Sequence, residues 1–502
     1  MTGPDVGAHI DAIRAVRIAT ADRRLLAVDG PVDVLIQDGR VADIAPTGAL
    51  PLRGRVLDSD GAWIVPGLWD HHVHTVQWAL AAQREDLSGT ASAVEAAAQM
   101  SRAPVLSDGR RVGSGFRDVR WRDRPSLSLL DERTAEIPTY LINADVHSVW
   151  LNSAALRREG FTTGPEGMLR EEDAFEISRR LNAADPVVAD EAVAAAARRA
   201  ASRGVVGLVD FDMAWNAEAW ARRLAHGFDT HRVEFAVYPH DLDRAIAEGL
   251  SSGEAMDPDP LGLVHVGPLK IISDGSLGTR TAACSHGYAD DPHNHGVLTV
   301  PPAELQDLLL RATGAGLEIA LHAIGDLAVT AALDAFATTG AQGTIEHAQL
   351  VRHGDLARFG RLGVAASVQP QHALDDRDAA DVLWAGQTAI GYPLASLHRA
   401  GATLRFGSDA PVAALDPWHA ISAAVFRTDD DRAPWHPEER VDLETALAAS
   451  ARGGTGGDAG IRPGAVADLA LLGADPATAD ASGLRAMPVA ATVLGGRVTY
   501  GG

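Results

Sequence analysis

Six side chains, far apart in the chain, are of the types that could build one reactive centre: His72, His74, Lys270, His322, His347 and Asp409. The first two close the stretch Val65-Pro-Gly-Leu-Trp-Asp-His-His-Val-His74, whose apolar start reads as a buried strand. Residues i and i+2 of a strand project to the same face. Both imidazoles can therefore reach one point at the strand's end, a geometry that suits zinc, iron or nickel. Asp70 and His71 fall outside that pair, and His71 is predicted to point away from a metal. Two surface histidines would give the same letters, so the short motif needs the other four residues. Lys270 sits in the apolar run Pro268–Ile272, His322 and His347 end two further runs, and Asp409 follows another. Taken singly, each has an ordinary reading: Lys270 could pair with Asp274 or Asp210, and Asp409 could be a turn residue before Ala410-Pro411.

Together they would hold divalent metal, one ion or two, with zinc expected. The chain has one cysteine, Cys284, which rules out an internal disulfide or a cysteine-built zinc cluster. Four imidazoles and a carboxylate remain as donors, whereas an ammonium at Lys270 cannot bind a cation. A bound ion lowers the pKa of its water to about 7 and polarises a carbonyl. Asp409 is the natural general base, taking the water's proton and passing it to a leaving amine. Asp326 could orient an imidazole. Glu346 neighbours His347 in a strand, so alternation predicts the opposite face and a structural role.

Such a centre needs elements that bring six distant positions together. From about residue 190 helices and short apolar strands alternate, the pattern of a parallel sheet covered by helices. The predicted strands are 63–69, 205–210, 233–238, 268–272, 317–322, 343–347, 364–369 and 402–407; the predicted helices include 190–202, 302–313, 326–338, 354–362 and 393–399. Eight strands suggest a closed (β/α)₈ barrel, whose active sites lie at the C-terminal ends of the strands. The run Pro138–Asn143 would make a ninth strand, so residues from about 80 to 190 are read as an insertion after strand one, with a helix at 173–181.

Both chain ends carry short strands. Ala15–Thr20 is one, and Asp33–Gln37 and Arg40–Ala45 flank Asp38-Gly39, a hairpin signal. Ala467–Leu472, and a hairpin of Val489–Leu494 and Arg497–Tyr500 about Gly495-Gly496, match them at the other end. The expected architecture is therefore α/β: a small β-sandwich from residues 1–62 and 456–502, around a barrel domain at 63–455 that holds the insertion.

The chain resembles the metal-dependent amidohydrolase superfamily, whose marks are H-x-H after strand one, Lys after strand four, His after strands five and six, and Asp after strand eight. Within it the chain is similar to amidohydrolase family 3, the YtcJ-like branch. The matching residues are Val146–Leu156, Leu269–Arg280, His322-Ala-Ile-Gly-Asp326, Ile345-Glu-His347, Ser367-Val-Gln-Pro370 and Gly407-Ser-Asp-Ala-Pro411. Val146 and Phe116 depart from the pattern, which expects glycine and tryptophan there. The resemblance implies a TIM barrel and a Lys270 carboxylated on Nζ, bridging two metal ions. With the metal chemistry above it leads to hydrolysis of a non-peptide amide C–N bond, such as that of an N-acyl or N-formyl amine. The same centre could serve a deaminase or a lactone or carbamate hydrolase; a non-catalytic relative would be expected to have lost ligands.

Candidate substrate contacts are Asp145, His147 and Trp150 in the insertion, Arg280 after a glycine-bearing loop, and Gln369 and His372 after strand seven. Trp78, Trp121 and Trp150 either line an apolar pocket or pack the insertion. The net charge of −23 argues against nucleic acid and anionic membranes as partners, leaving a small-molecule substrate. No apolar run approaches the roughly 20 residues of a membrane span, and no basic flank and apolar core mark a signal peptide. A cytoplasmic, homodimeric enzyme is the expectation.

Overall fold

The computed structural model describes residues 5–19, 30–81, 84–106, 108–182 and 185–502. Thr20, the predicted end of the first strand, lies outside them. Eight parallel strands follow one another in chain order around a barrel: β1 (Leu68–Val73), β2 (Val205–Asp210), β3 (Arg232–Val237), β4 (Val264–Ile272), β5 (Ile319–Ala323), β6 (Gly343–His347), β7 (Ala365–Val368) and β8 (Leu404–Phe406). The ring is closed at its C-terminal rim, where Asp409 N donates to His72 O at 2.7 Å and His74 N to Ala410 O at 2.9 Å. Gly407 permits this closure, because a Cβ there would stand 2.6 Å from His72 N.

Helices at Pro186–Ala201, Pro302–Gly314, Asp326–Thr339, His353–Leu362 and Leu394–Arg399 cover the predicted positions within a few residues. The first is capped by Asp185, whose side chain accepts from Val187 N at 2.9 Å. The fully buried aliphatic residues of the strands, among them Val264, Ile271, Ile319, Leu321 and Ile345, join Leu309, Leu333 and Phe359 of the helices in one core. Burying each such side chain contributes about 1.5–3 kcal/mol, which is why these apolar runs resist any polar substitution.

The predicted strand 63–69 is two strands. Trp63–Pro66 pairs antiparallel with Leu469–Leu472, while Leu68–Val73 enters the barrel. The break falls at Gly67, where a Cβ would lie 2.5 Å from Val206 Cγ2 and 3.1 Å from the Asp468 backbone. Two units crowd that point, and only glycine passes between them.

Strands from both chain ends form a second, eight-stranded sheet, ordered 497–501, 489–494, 469–472, 63–66, 12–18, 32–37 and 40–46, with 56–58 beside 12–18. It folds over a shared core of Ile13, Val34, Leu469, Leu471 and Val493. Its hairpins turn at Asp38-Gly39 (φ 51° and 71°) and Gly495-Gly496 (φ 55° and 79°), the left-handed pairs that match strand twist. A third sheet of five strands, from Glu85–Asp86 to Met168–Arg170, lies between β1 and β2 and includes Thr139–Asn143. Among the described residues no helix is long and apolar enough to cross a membrane.

Candidate metal centre

The barrel's C-terminal rim gathers His72, His74, Lys270, His322, His347 and Asp409 around one pocket. On β1, alternation sends His72 inward, and its Nε2 lies 3.2 Å from Lys270 Nζ and 3.5 Å from Asp409 Oδ1. His74 Nε2 approaches the same oxygen at 3.3 Å. His71 turns the other way, with Nδ1 2.9 Å from Phe406 O and its ring stacked on Trp69. His347, at the end of β6, stands with ring centroids 4.9 Å from His72 and 4.5 Å from His322. One ligand atom each from His72, His347 and Asp409 lie within 4.8 Å of one another.

Glu346 corrects the sequence reading. It faces into the site, where its Oε2 lies 2.6 Å from His72 Nδ1, while Thr344, two residues back on the same face, bonds its other oxygen. His347 adopts φ 73°, a left-handed turn at the strand's last residue. That turn breaks alternation, so two consecutive side chains both serve the pocket. The Glu346 contact holds the proton of His72 on Nδ1 and leaves the Nε2 lone pair toward Lys270 and Asp409. Gln369 does the same for His347, whose Nδ1 stands 2.8 Å from Gln369 Oε1. Glu346→Gln is expected to weaken metal affinity about 10- to 100-fold. Competition with a chelating dye measures this, and unchanged affinity would return Glu346 to a packing role.

Burial governs the electrostatics. Desolvation, followed by the charge of Lys270, holds His72 and His322 well below the ordinary imidazole range. For His347 burial is followed by His322 and then Lys270. Lys270, 2% exposed, is drawn down to about 8 by burial against the pull of Glu346 and Asp409. Burial raises Asp409, but contact with His74 and the charges of His74, His372 and Lys270 outweigh it and leave the carboxyl below its usual value. Neither Asp274 nor Asp210 pairs with Lys270. Asp274 accepts from the Ala283, Ile324 and Gly325 amides, and Asp210 from Trp220 Nε1 and Thr75 N.

The donors fit a divalent ion. Buried neutral imidazoles present lone pairs to a common centre beside an ionised carboxylate. Two buried ring nitrogens, His74 Nδ1 and His322 Nε2, make no hydrogen bond with the described residues. Lysine is the exception in this set as an ammonium, though its lowered pKa brings the free amine within reach at mildly alkaline pH.

Comparison with known proteins agrees with that chemistry. The profile of the amidohydrolase family matches residues 55–500. The chain belongs to this family. Among its relatives, Protein LONG AFTER FAR-RED 3 of Arabidopsis thaliana is 29% identical, covering 96% of this chain and 90% of that protein. N-substituted formamide deformylase of Arthrobacter pascens is 27% identical, covering 93% and 94%. The crystal structure of an uncharacterized metal-dependent hydrolase from Pyrococcus horikoshii OT3 superposes with a TM-score of 0.79 at 25% identity, covering 94% of this chain and 99% of that one.

The amidohydrolase barrel receives only part of the predicted substrate shell. Asp145 and His147 line the pocket with His372. His147 Nδ1 is 3.0 Å from Glu171 Oε2, and the His147 amide donates to Asp145 Oδ1 at 3.0 Å. Gln369 reaches the centre through His347. Trp150 does not line the pocket: it is fully buried in the insertion beside Trp121, at 6.1 Å between ring centroids. Its apolar area is better spent there; Trp121 likewise packs within a core, and the half-buried Trp78 packs against one. Arg280 also misses the pocket. The loop turns back where Thr281 N bonds Ser276 O, so Ser276, Leu277 and Gly278 line the pocket while Arg280 pairs with Asp290 outside. Asp326 orients no imidazole; it holds Arg352 at 2.7 Å and Ser285 N at 2.8 Å.

Residues missed from sequence include Arg117, which lines the pocket and binds Asp375 and Asp376, and Phe175, which packs edge-on to His147 at 5.0 Å. Neither carries a spacing signal, since both reach the rim from the insertion. Val146, where glycine is expected, lines the pocket at φ 56°, a conformation costly for a β-branched residue. Phe116 lies apart, buried against Trp121.

Proposed function

We propose that this chain hydrolyses a non-peptide amide C–N bond of a small molecule, an N-acyl or N-formyl amine, to a carboxylic acid and a free amine. The observation that carries the reading is the meeting of four imidazoles, Lys270 and Asp409 at one barrel rim. The formamide deformylase among its relatives, similar along nearly the whole chain, supports the bond class. His72, His74, His322, His347 and Asp409, together with Lys270 carboxylated on Nζ, would hold one or two divalent ions, zinc first among them. Such an ion makes water a nucleophile near neutral pH and polarises the scissile carbonyl.

The chain's own groups supply the rest. Asp409, ionised and at the pocket's edge, accepts a proton from the attacking water and returns it to the departing nitrogen. Glu346 and Gln369 keep His72 and His347 in one tautomer each. Asp145 and His147 flank the substrate, and Val146, Phe175 and Leu277 exclude water around its apolar part.

Two measurements test this. Purified protein is analysed for metal, then screened against N-formyl and N-acyl amines for release of amine. Bound metal with amine release is expected; ring opening of lactones with no amine from any amide would reject the bond class. In the second, His71→Ala is expected to retain metal where His72→Ala loses it. Equal retention by both variants would move the centre away from His72.

A further inference from the structure

The part of the pocket wall that the insertion builds carries more negative charge than its neighbours balance. Asp118 and Asp145 both line the pocket. Asn143 ties them together: its Nδ2 donates to Asp118 Oδ1 at 2.9 Å, and its Oδ1 accepts from Asp145 N at 3.3 Å. Gly278 leaves room for the second carboxylate, since a Cβ there would stand 2.6 Å from Asp145 Oδ2. Asp145 accepts from neutral groups, the His147 amide at 3.0 Å and the Ser276 hydroxyl at 3.2 Å. The cations whose fields reach these carboxylates are engaged elsewhere: Arg170 with Glu166, Arg280 with Asp290, and the His147 ring with Glu171. Arg117, the one guanidinium among the described residues lining the pocket, is bound by Asp375 and Asp376. Burial raises both carboxyls above their usual value, the mark of charge with too few partners. His147 adds an independent sign. It is 8% exposed and lines the same pocket, yet its Nε2 makes no hydrogen bond with a described residue. The Glu171 carboxylate keeps a proton on Nδ1, so the neutral ring turns the Nε2 lone pair to the pocket.

We infer that Asp118, Asp145 and His147 form a subsite for a primary ammonium group of the substrate, so that the amide cleaved is one carrying a cationic amine away from the scissile bond. The inference rests on the amide hydrolysis proposed above and names its substrate class, an N-acylated diamine. An ammonium has three N–H donors and no acceptor, which matches two carboxylates and an imidazole lone pair. Hydrogen bonds between charged partners are the strong ones. An alkyl chain in the same place would strip water from the carboxylates and give nothing back, and a substrate carboxylate would be repelled.

The test uses the full-length, metal-loaded protein. It is titrated by calorimetry with N-acetylated diamines of graded spacer length, and with two matched sets in which methyl or carboxylate replaces the ammonium. For compounds that turn over, kcat/KM replaces the affinity. At the best spacer the ammonium compound is expected to bind about 10- to 100-fold more tightly than its methyl counterpart, and the carboxylate more weakly than either. Asp118→Asn, which keeps an acceptor for Asn143, is expected to cut the ammonium's advantage about tenfold. Equal binding of ammonium and methyl compounds at every spacer overturns the inference, and so does an advantage that Asp118→Asn leaves untouched. The comparison of the three sets on the parent decides the matter even if the variant fails to fold. Amine release is followed in the same samples: an ammonium compound bound with this preference and never cleaved would reject the bond class while upholding the subsite.

Discussion

Asp409→Asn is expected to lower kcat by about 10³-fold or more while the protein stays folded. General-base catalysis by a positioned side chain contributes about 10²–10⁴-fold, and the amide keeps the shape of the carboxylate but cannot take the water's proton. The choice of asparagine is set by the backbone. Asp409 has φ 57°, a region that Asn and Asp tolerate and most residues do not. Its amide also donates to His72 O across the seam that closes the barrel. An alanine would therefore mix strain with lost chemistry. Steady-state kinetics with metal content measured on the same sample separates a missing base from a missing ion. A variant that retains metal and loses less than tenfold would remove Asp409 from the proton transfer.

Lys270→Met is expected to abolish metal-dependent activity and to deplete metal, yet leave the metal-free protein at least as stable as the parent. The two halves have different origins. Lys270 is buried among three imidazoles and above the Phe211 ring, 4.3 Å from its centroid, so the ammonium lacks water and its pKa falls to about 8. A folded-state pKa below the unfolded value means that the charged form opposes folding. That cost is fully present below about pH 8 and fades as pH rises toward the unfolded lysine value. Methionine, close in volume and without charge, removes it. Function runs the other way, because carboxylated Lys270 is proposed to supply the negative charge between two ions. Native mass spectrometry of the intact parent should show the mass of one added CO₂, which Lys270→Met lacks. Thermal melts of both metal-free proteins above and below pH 8 check the stability half. A variant that binds metal normally would exclude Lys270 from the centre.

Glu346 shows why a site can be half visible in a chain. Histidines at i and i+2, a lysine inside an apolar run and aspartate after a strand are local signals, and strand periodicity places them on one rim. Glu346 was assigned to the wrong face because periodicity assumes a regular strand to its last residue. The left-handed turn at His347 is imposed where β6 meets Ala348 and the loop leading to Gln349, packed beneath the rim.

What the chain determines by itself is the position of seven of the eight short barrel strands, the two terminal hairpins with their left-handed turn pairs, and the identity of the polar residues at the strand ends. These depend on contacts between residues near in sequence or on the two-residue period of a strand. Only the tertiary structure decides which polar residues hold the imidazoles, that Trp150 and Arg280 turn away, and that the strand at residue 63 divides at Gly67. Each of those outcomes rests on close packing between separate elements, from the Arg280–Asp290 pair ten residues apart to the His72–Glu346 contact 274 residues apart, and no local pattern records it.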